Sequence, residues 1–394
     1  MATTTIRVRE PRELIALVPH QLGFQPDESA VVVSLREPRG RVGLVARVDL
    51  DDLSDASCGP QLARTLVTHL VHDGAAHAVL VIYTADDGGP GPDATAAAGG
   101  GQDRRPPALP CRSPRTRAAA RHLAVAAEPY LGDVATWVVG PDGYGGLDCA
   151  SPECCPPGGR PLAELESTAT GAHMVLAGSA VAARRADLAQ IRAADADARR
   201  RAAAARVLAE RRRRATDAGD AEAVRRWREE AMVLWRTEVD AGRDGRTGEH
   251  PPRLGRIEAA LGDLRVRDAI LVSLVPGTGD LAERTLRSTD GRLDREISCA
   301  IARIVDPSGG LEPPEECATV YRATLEAVVA HGRRRTEAPA VTLLAVLAWW
   351  RADGARAAVL VERALAADPG YRLALLVQEA IDAGLSPGWV RRGW

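Results

Sequence analysis

The chain of 394 residues contains no lysine and no asparagine, and Phe24 is its single phenylalanine; all 51 basic side chains are arginine. The missing lysine removes whole classes of chemistry. A P-loop uses a lysine on the nucleotide phosphates, a pyridoxal phosphate enzyme uses one as a Schiff base, and a protein kinase uses one on its third strand. Long apolar runs are also lacking: no stretch approaches the roughly 20 residues that a bilayer span demands. Residues Met1 to Glu10 alternate polar and apolar side chains without the apolar centre of a signal peptide. The expectation is a cytoplasmic chain without a membrane partner. Charge of one sign is not in excess, the formal net charge being -2, so the whole molecule has no field favouring nucleic acid or anionic lipid. Seven cysteines, an odd number, argue for reduced thiols and against a disulfide framework.

What is abundant is alanine, arginine, glycine and proline, the composition of a GC-rich genome. The patterning divides the chain. A short apolar face over Leu14, Ile15, Leu17 and Val18 reads as a helix ended by Pro19. Ala30 to Leu35 and Val42 to Leu50 are β-branched runs joined by the turn-rich 37–40 segment, which fits a hairpin whose first strand is buried on both faces. Helical spacing from Gln61 to His72 followed by the apolar run Ala78 to Tyr83 gives a β-helix-β unit. A second follows, with a helix near Thr116 to Ala127 and a strand at Asp133 to Val139. Alternating strands and helices predict an α/β layered domain, a sheet with helices, over 10–180. It carries a disordered insertion at about 86–112, dense in Gly, Pro, Asp and Ala.

From 181 to 250 the composition shifts to alanine, arginine and acids, which predicts an exposed Arg/Ala-rich helical connector. Residues 253–394 read as an all-α domain, with helices over Leu261 to Leu274, Leu293 to Val305, Glu315 to His331, Ala338 to Asp353, Ala355 to Ala367 and Arg372 to Ala383. The stretch from Val341 through Tyr371 has the spacing of a tetratricopeptide-like hairpin: two apolar faces, Gly354 at the turn and Asp368-Pro369 as the stop. One such repeat cannot bury its own apolar face, so neighbouring helices are expected to stack on it.

Four segments resemble an actinobacterial domain-of-unknown-function family: Leu14 to Glu28 (LIALVPHQLGFQPDE), Gly40 to Leu50 (GRVGLVARVDL), Cys149 to Leu162 (CASPECCPPGGRPL) and Leu343 to Leu385 around RALAADPGYRLALL. Leu264 to Leu271 (LRVRDAIL) is similar to it as well. The resemblance implies a fold and a kinship; it brings no reaction with it. The chain departs from the pattern in its Gly/Pro-rich insertion and at Gly143-Tyr144-Gly145-Gly146.

Four constellations could carry chemistry or binding. Cys149, Cys154 and Cys155 offer thiolates of the kind that hold zinc in tetrahedral sets. Adjacent cysteines point apart on an extended backbone, however, and a fourth ligand such as His173, His20 or Cys58 would have to come from a distance. The same thiols could exchange a disulfide, or pack as small hydrophobes in a rigid surface turn. His20, Glu28, Arg47 and Asp49 would form a polar acid-base site if the hairpin brings them to one sheet edge; helix and strand termini place such residues as caps just as readily. His69 and His72, one helical turn apart with His77 following, have metal-ligand spacing but no acidic residue between them. Arg184 to Arg214 is locally basic, yet acids dilute it and no aromatic side chains interleave it, so a solvated helix is favoured over nucleic-acid binding. With no catalytic signature complete, the sequence leans away from an enzyme and expects no cofactor, zinc at the cysteines being the alternative. It predicts a protein-interaction or regulatory module that engages a protein partner through its helical domain; the competing reading is an enzyme or a metal or thiol sensor built on Cys149, Cys154 and Cys155.

Overall fold

The β-branched runs lie in the first 140 residues, and four of the sheet's five strands form there. The computed structural model describes residues 10–37, 40–85, 113–149, 151–156, 159–216, 220–287, 290–306, 308 and 310–391. The expected insertion at 86–112 lies outside them. Contacts divide the chain into two units, 1–187 and 188–394.

The first unit contains, in order, α1 (Pro11–Leu22), β1 (Ser29–Arg36), β2 (Arg41–Asp49), α2 (Leu50–Ser54), α3 (Gly59–His72), β3 (Ala75–Tyr83), α4 (Pro114–Leu131), β4 (Ala135–Val139), β5 (Tyr144–Gly146), α5 (Ala163–Glu166) and α6 (Ala169–Leu176). Its sheet has the order β2-β1-β3-β4-β5. β1 pairs antiparallel with β2 and with β3, β3 runs parallel to β4, and β4 pairs antiparallel with β5. The first β-helix-β crossover therefore straddles β1, while the second joins neighbouring parallel strands. Side chains alternate across the sheet: Ala30, Val32, Ala78, Leu80 and Ile82 pack beneath α2, α3 and α4. Val31, Val33, Val81 and Tyr83, buried on the other face, make β1 apolar on both sides, as the unbroken run Ala30–Val33 implies.

Pro19 does not end the first helix. A proline inside a helix leaves the carbonyl four residues back without its amide partner; here that carbonyl is Ile15 O, and the Tyr83 hydroxyl donates to it at 3.4 Å. The helix runs on to Leu22 and stops at Gly23, whose φ of 76° is left-handed.

The second unit is helical: α7 (Ala196–Thr216), α8 (Ala221–Arg243), α9 (Pro251–Leu261), α10 (Leu264–Leu274), α11 (Leu281–Arg287), α12 (Gly291–Val305), α13 (Glu315–His331), α14 (Ala338–Trp350), α15 (Gly354–Ala367), α16 (Arg372–Asp382) and α17 (Gly388–Arg391). The stretch expected as an exposed connector is not exposed throughout. Trp227, Ala231, Trp235 and Val239 of α8 lie in the unit's core, because an apolar stripe at helical spacing in an arginine-rich sequence still seeks cover. The apolar pattern 261–274, read as one helix, is broken by Gly262-Asp263, and the Asp263 carboxylate accepts from the amides of Arg265 and Val266 to start α10. α14 and α15 pack against one another as consecutive helices.

Candidate functional site

The parallel strands β3 and β4 end side by side, and in α/β sheets the carboxyl ends of parallel strands are where ligands gather. Here Thr84 and Gly140 open onto a cleft of about 480 Å³, whose ionisable lining is His20, Asp27, Tyr83 and Glu166. His20, in the last turn of α1, has Nδ1 3.0 Å from Ser179 Oγ, and burial holds its pKa below the ordinary histidine value.

Glu28 stands beside this cleft with φ at 42°, a conformation that a non-glycine residue keeps only when its surroundings enforce it. They do: its carboxylate accepts from the Thr84 hydroxyl at 3.1 Å and the Ala85 amide at 2.7 Å, and pairs with Arg115. Its own carbonyl accepts from Leu50 N–H at 3.0 Å. Arg47 turns instead to Asp49 at 2.7 Å and to Ser29 Oγ at 2.8 Å. The four polar residues singled out in the sequence thus do not assemble into one cluster. Arg47 and Asp49 pair, Glu28 pairs with Arg115, and among the described residues no hydrogen bond or ion pair joins His20 to the other three. Arg115 carries no sequence signal, since its partner lies 87 residues away.

The cysteines do assemble. The sulfurs of Cys149, Cys154 and Cys155 all lie within 4.8 Å of one another, with Cys154 and Cys155 Sγ 3.9 Å apart. The expectation that neighbours point apart assumes an extended chain. Here Cys155 N–H donates to Ser151 O at 2.8 Å, closing a helical turn that brings both side chains round to Cys149. Cys155 is buried, Cys149 half-buried and Cys154 exposed. The amide of Gly146 donates to Cys155 Sγ at 3.2 Å. Burial pushes the Cys155 thiol up to about 11, whereas the Ser151 backbone holds Cys149 below the ordinary thiol value. His173, His20 and Cys58 are not part of the group. Beside it, Tyr144 and Arg160 exchange backbone hydrogen bonds of 2.9 and 2.8 Å, and the Tyr144 hydroxyl and Arg160 Nε both donate to Glu164 Oε2. Leu162, Leu165 and Glu166, in the same segment, line the cleft.

A third feature lies on the outer side of α3 and α4. These helices flank a groove of about 640 Å³ with an apolar floor including Val67, Val71, Val125, Ala126 and Tyr130, and a rim of Arg64, His72, Arg121 and His122. Val125 and Tyr130 are 66% and 69% exposed.

A family model described as Domain of unknown function (DUF4192) matches residues 11–388. The chain belongs to this family. The DUF4192 match runs from the first residue of α1 to the first of α17, and so takes in the cleft, the cysteine loop and the groove alike. No curated protein and no solved structure matches this DUF4192 chain.

The remaining sequence candidates have local explanations in the DUF4192 fold. His69 and His72 lie in the last turn of α3, and His72 turns onto the groove. In α7, Arg200, Arg206, Arg212, Arg213 and Arg214 each meet a carboxylate: Asp197, Glu210 and Glu258, Glu230, Asp263, and Glu210. Much of the basic run is therefore neutralised within its own unit.

Proposed function

We propose that this DUF4192 protein is a non-enzymatic interaction module that holds a partner's amphipathic helix with an acidic polar face in the groove between α3 and α4. The groove carries the reading. An apolar floor of this breadth left open to solvent marks a contact surface, and a helix laid in a trough is a recurring mode of recognition. The rim selects the partner's charge: Arg64, Arg121, His72 and His122 line it and no carboxylate does. Among the described residues neither arginine is in an ion pair, so a carboxylate-bearing face meets complementary charge without displacing an internal partner.

The helical unit does not offer the open surface that the reading needs. Its repeat-like hairpin, the surface first suggested by the sequence, has α14 buried on nearly every side, from Val341 through Trp350, so the hairpin is core where it would need to be open.

A photo-crosslinking side chain at position 125, with position 233 of α8 as an exposed control, tests the assignment in cells. The reading expects position 125 to trap a partner whose crosslinked peptide is an acidic amphipathic helix, and Tyr130→Glu to remove that product. Equal labelling from both positions, or a product unaffected by Tyr130→Glu, would contradict it.

A further inference from the structure

We infer that Cys149, Cys154 and Cys155 bind one zinc ion through three thiolates, leaving the fourth tetrahedral position open to water or a small donor. The inference is independent of the groove and rests on different residues.

The geometry points to a metal before it points to anything else. Zinc–thiolate bonds of about 2.3 Å in a tetrahedral arrangement separate two sulfurs by about 3.8 Å. Cys154 and Cys155 Sγ lie 3.9 Å apart, and Cys149 completes a trio with every sulfur inside 4.8 Å. A disulfide needs about 2.05 Å, so the trio stands at the spacing of shared coordination rather than of a bond. Three soft donors and no carboxylate select zinc or copper(I) over magnesium or calcium.

The surroundings supply what a thiolate set requires. The Gly146 amide donates to Cys155 Sγ at 3.2 Å, the kind of outer hydrogen bond that steadies metal-bound sulfur. That approach leaves little room at one position of β5: a Cβ on Gly146 would lie 3.0 Å from Cys149 Cβ. Binding releases the thiol protons to solvent and leaves zinc and three thiolates with one net negative charge. Arg160, whose Nη1 donates to the Cys154 carbonyl at 3.4 Å, places a cation beside it.

The site also has structural work to do. β5 is a three-residue edge strand containing two glycines, with only the short ladder to β4 on its inner side. Zinc bound to the loop that receives the Gly146 amide fastens that strand, and through the Tyr144–Arg160 pairing it steadies the 162–166 segment that lines the cleft.

The test is elemental mass spectrometry on the full chain purified without a metal-binding tag, followed by titration of the metal-stripped protein with cobalt(II) as an optical probe. The inference expects close to one zinc per chain and a sulfur-to-cobalt charge-transfer band with tetrahedral visible absorption. Cys154→Ser, at an exposed side chain, should lose both while keeping the helical circular dichroism of the chain; Cys299→Ser, an exposed control, should lose neither. Zinc content equal in the wild type and Cys154→Ser, absence of both zinc and a cobalt spectrum, copper in place of zinc, or a disulfide among the three cysteines in a non-reduced peptide map would each overturn it.

Discussion

Two histidines set an acid limit on the first unit. His20 is held below its ordinary value by burial, and His69 by burial together with repulsion from His72. Each takes a proton more readily in the unfolded chain, whose histidines titrate near pH 6.5. Above that pH both are neutral in either state and no stability is at stake; as pH falls through the depressed folded values the unfolded state gains protons first and stability is lost. Carboxylates act lower. Asp55, held well below its usual range by hydrogen bonds from Ser57 and Cys58, begins to cost stability only below about pH 4. Thermal melts at about pH 7.5 and pH 5.5 should therefore show a lower transition at the acid value, and His20→Gln/His69→Gln should narrow that difference. An unchanged difference in the double variant would mean that other groups set the acid limit. Residue-scale legibility was uneven for the same reason that these shifts exist. The cysteine trio is compressed into seven residues and could be seen in the sequence. The pairing of Glu28 with Arg115 could not, because only the fold brings them together.

At the scale of elements, most runs with one dominant period were readable. Glu315 to His331 forms a helix over those residues, and the β-branched runs at 30–35 and 42–50 became β1 and β2 to within a residue. The failures share a cause: partners distant in sequence. Pro19 is tolerated because Tyr83 takes the orphaned carbonyl. Asp263 breaks an apparent long helix with Arg213 and Arg228 holding its carboxylate. β5 has almost no strand propensity of its own and exists by pairing with Trp137 to Val139. Close helix packing was equally hidden. Gly255 of α9 approaches α7 so closely that a Cβ would lie 1.9 Å from Ala202 O, a backbone atom that cannot swing aside. Gly255→Ala should force the helices apart and cost about 2–3 kcal/mol, whereas Gly354→Ala, with nothing within 4 Å, should be close to neutral. Chemical denaturation of both variants checks this; equal stabilities would show that α7 and α9 yield without strain.

At the scale of the molecule, the lack of lysine shapes how charge is buried. Carboxylates with almost no exposure are met by guanidinium groups: Glu238 by Arg253 at 2.9 Å, and Asp263 by Arg213 and Arg228 at 3.0 and 3.1 Å. Breaking such a pair leaves an uncompensated buried charge. In the α3–α4 groove, by contrast with these buried pairs, Arg64 and Arg121 meet no carboxylate among the described residues and line an open apolar floor. The account turns on what those charges are for. The most direct test is fluorescence anisotropy of two synthetic amphipathic helices, each about 14 residues or four turns long, with the same apolar face but an acidic or a basic polar face. They are titrated against the full chain and against Arg64→Glu/Arg121→Glu. The account predicts that the acidic helix binds the native protein, weakens with salt and loses about tenfold or more in affinity on the double variant, while the basic helix shows the reverse preference. Equal binding of both helices to both proteins, or no binding of the acidic helix at all, would contradict it.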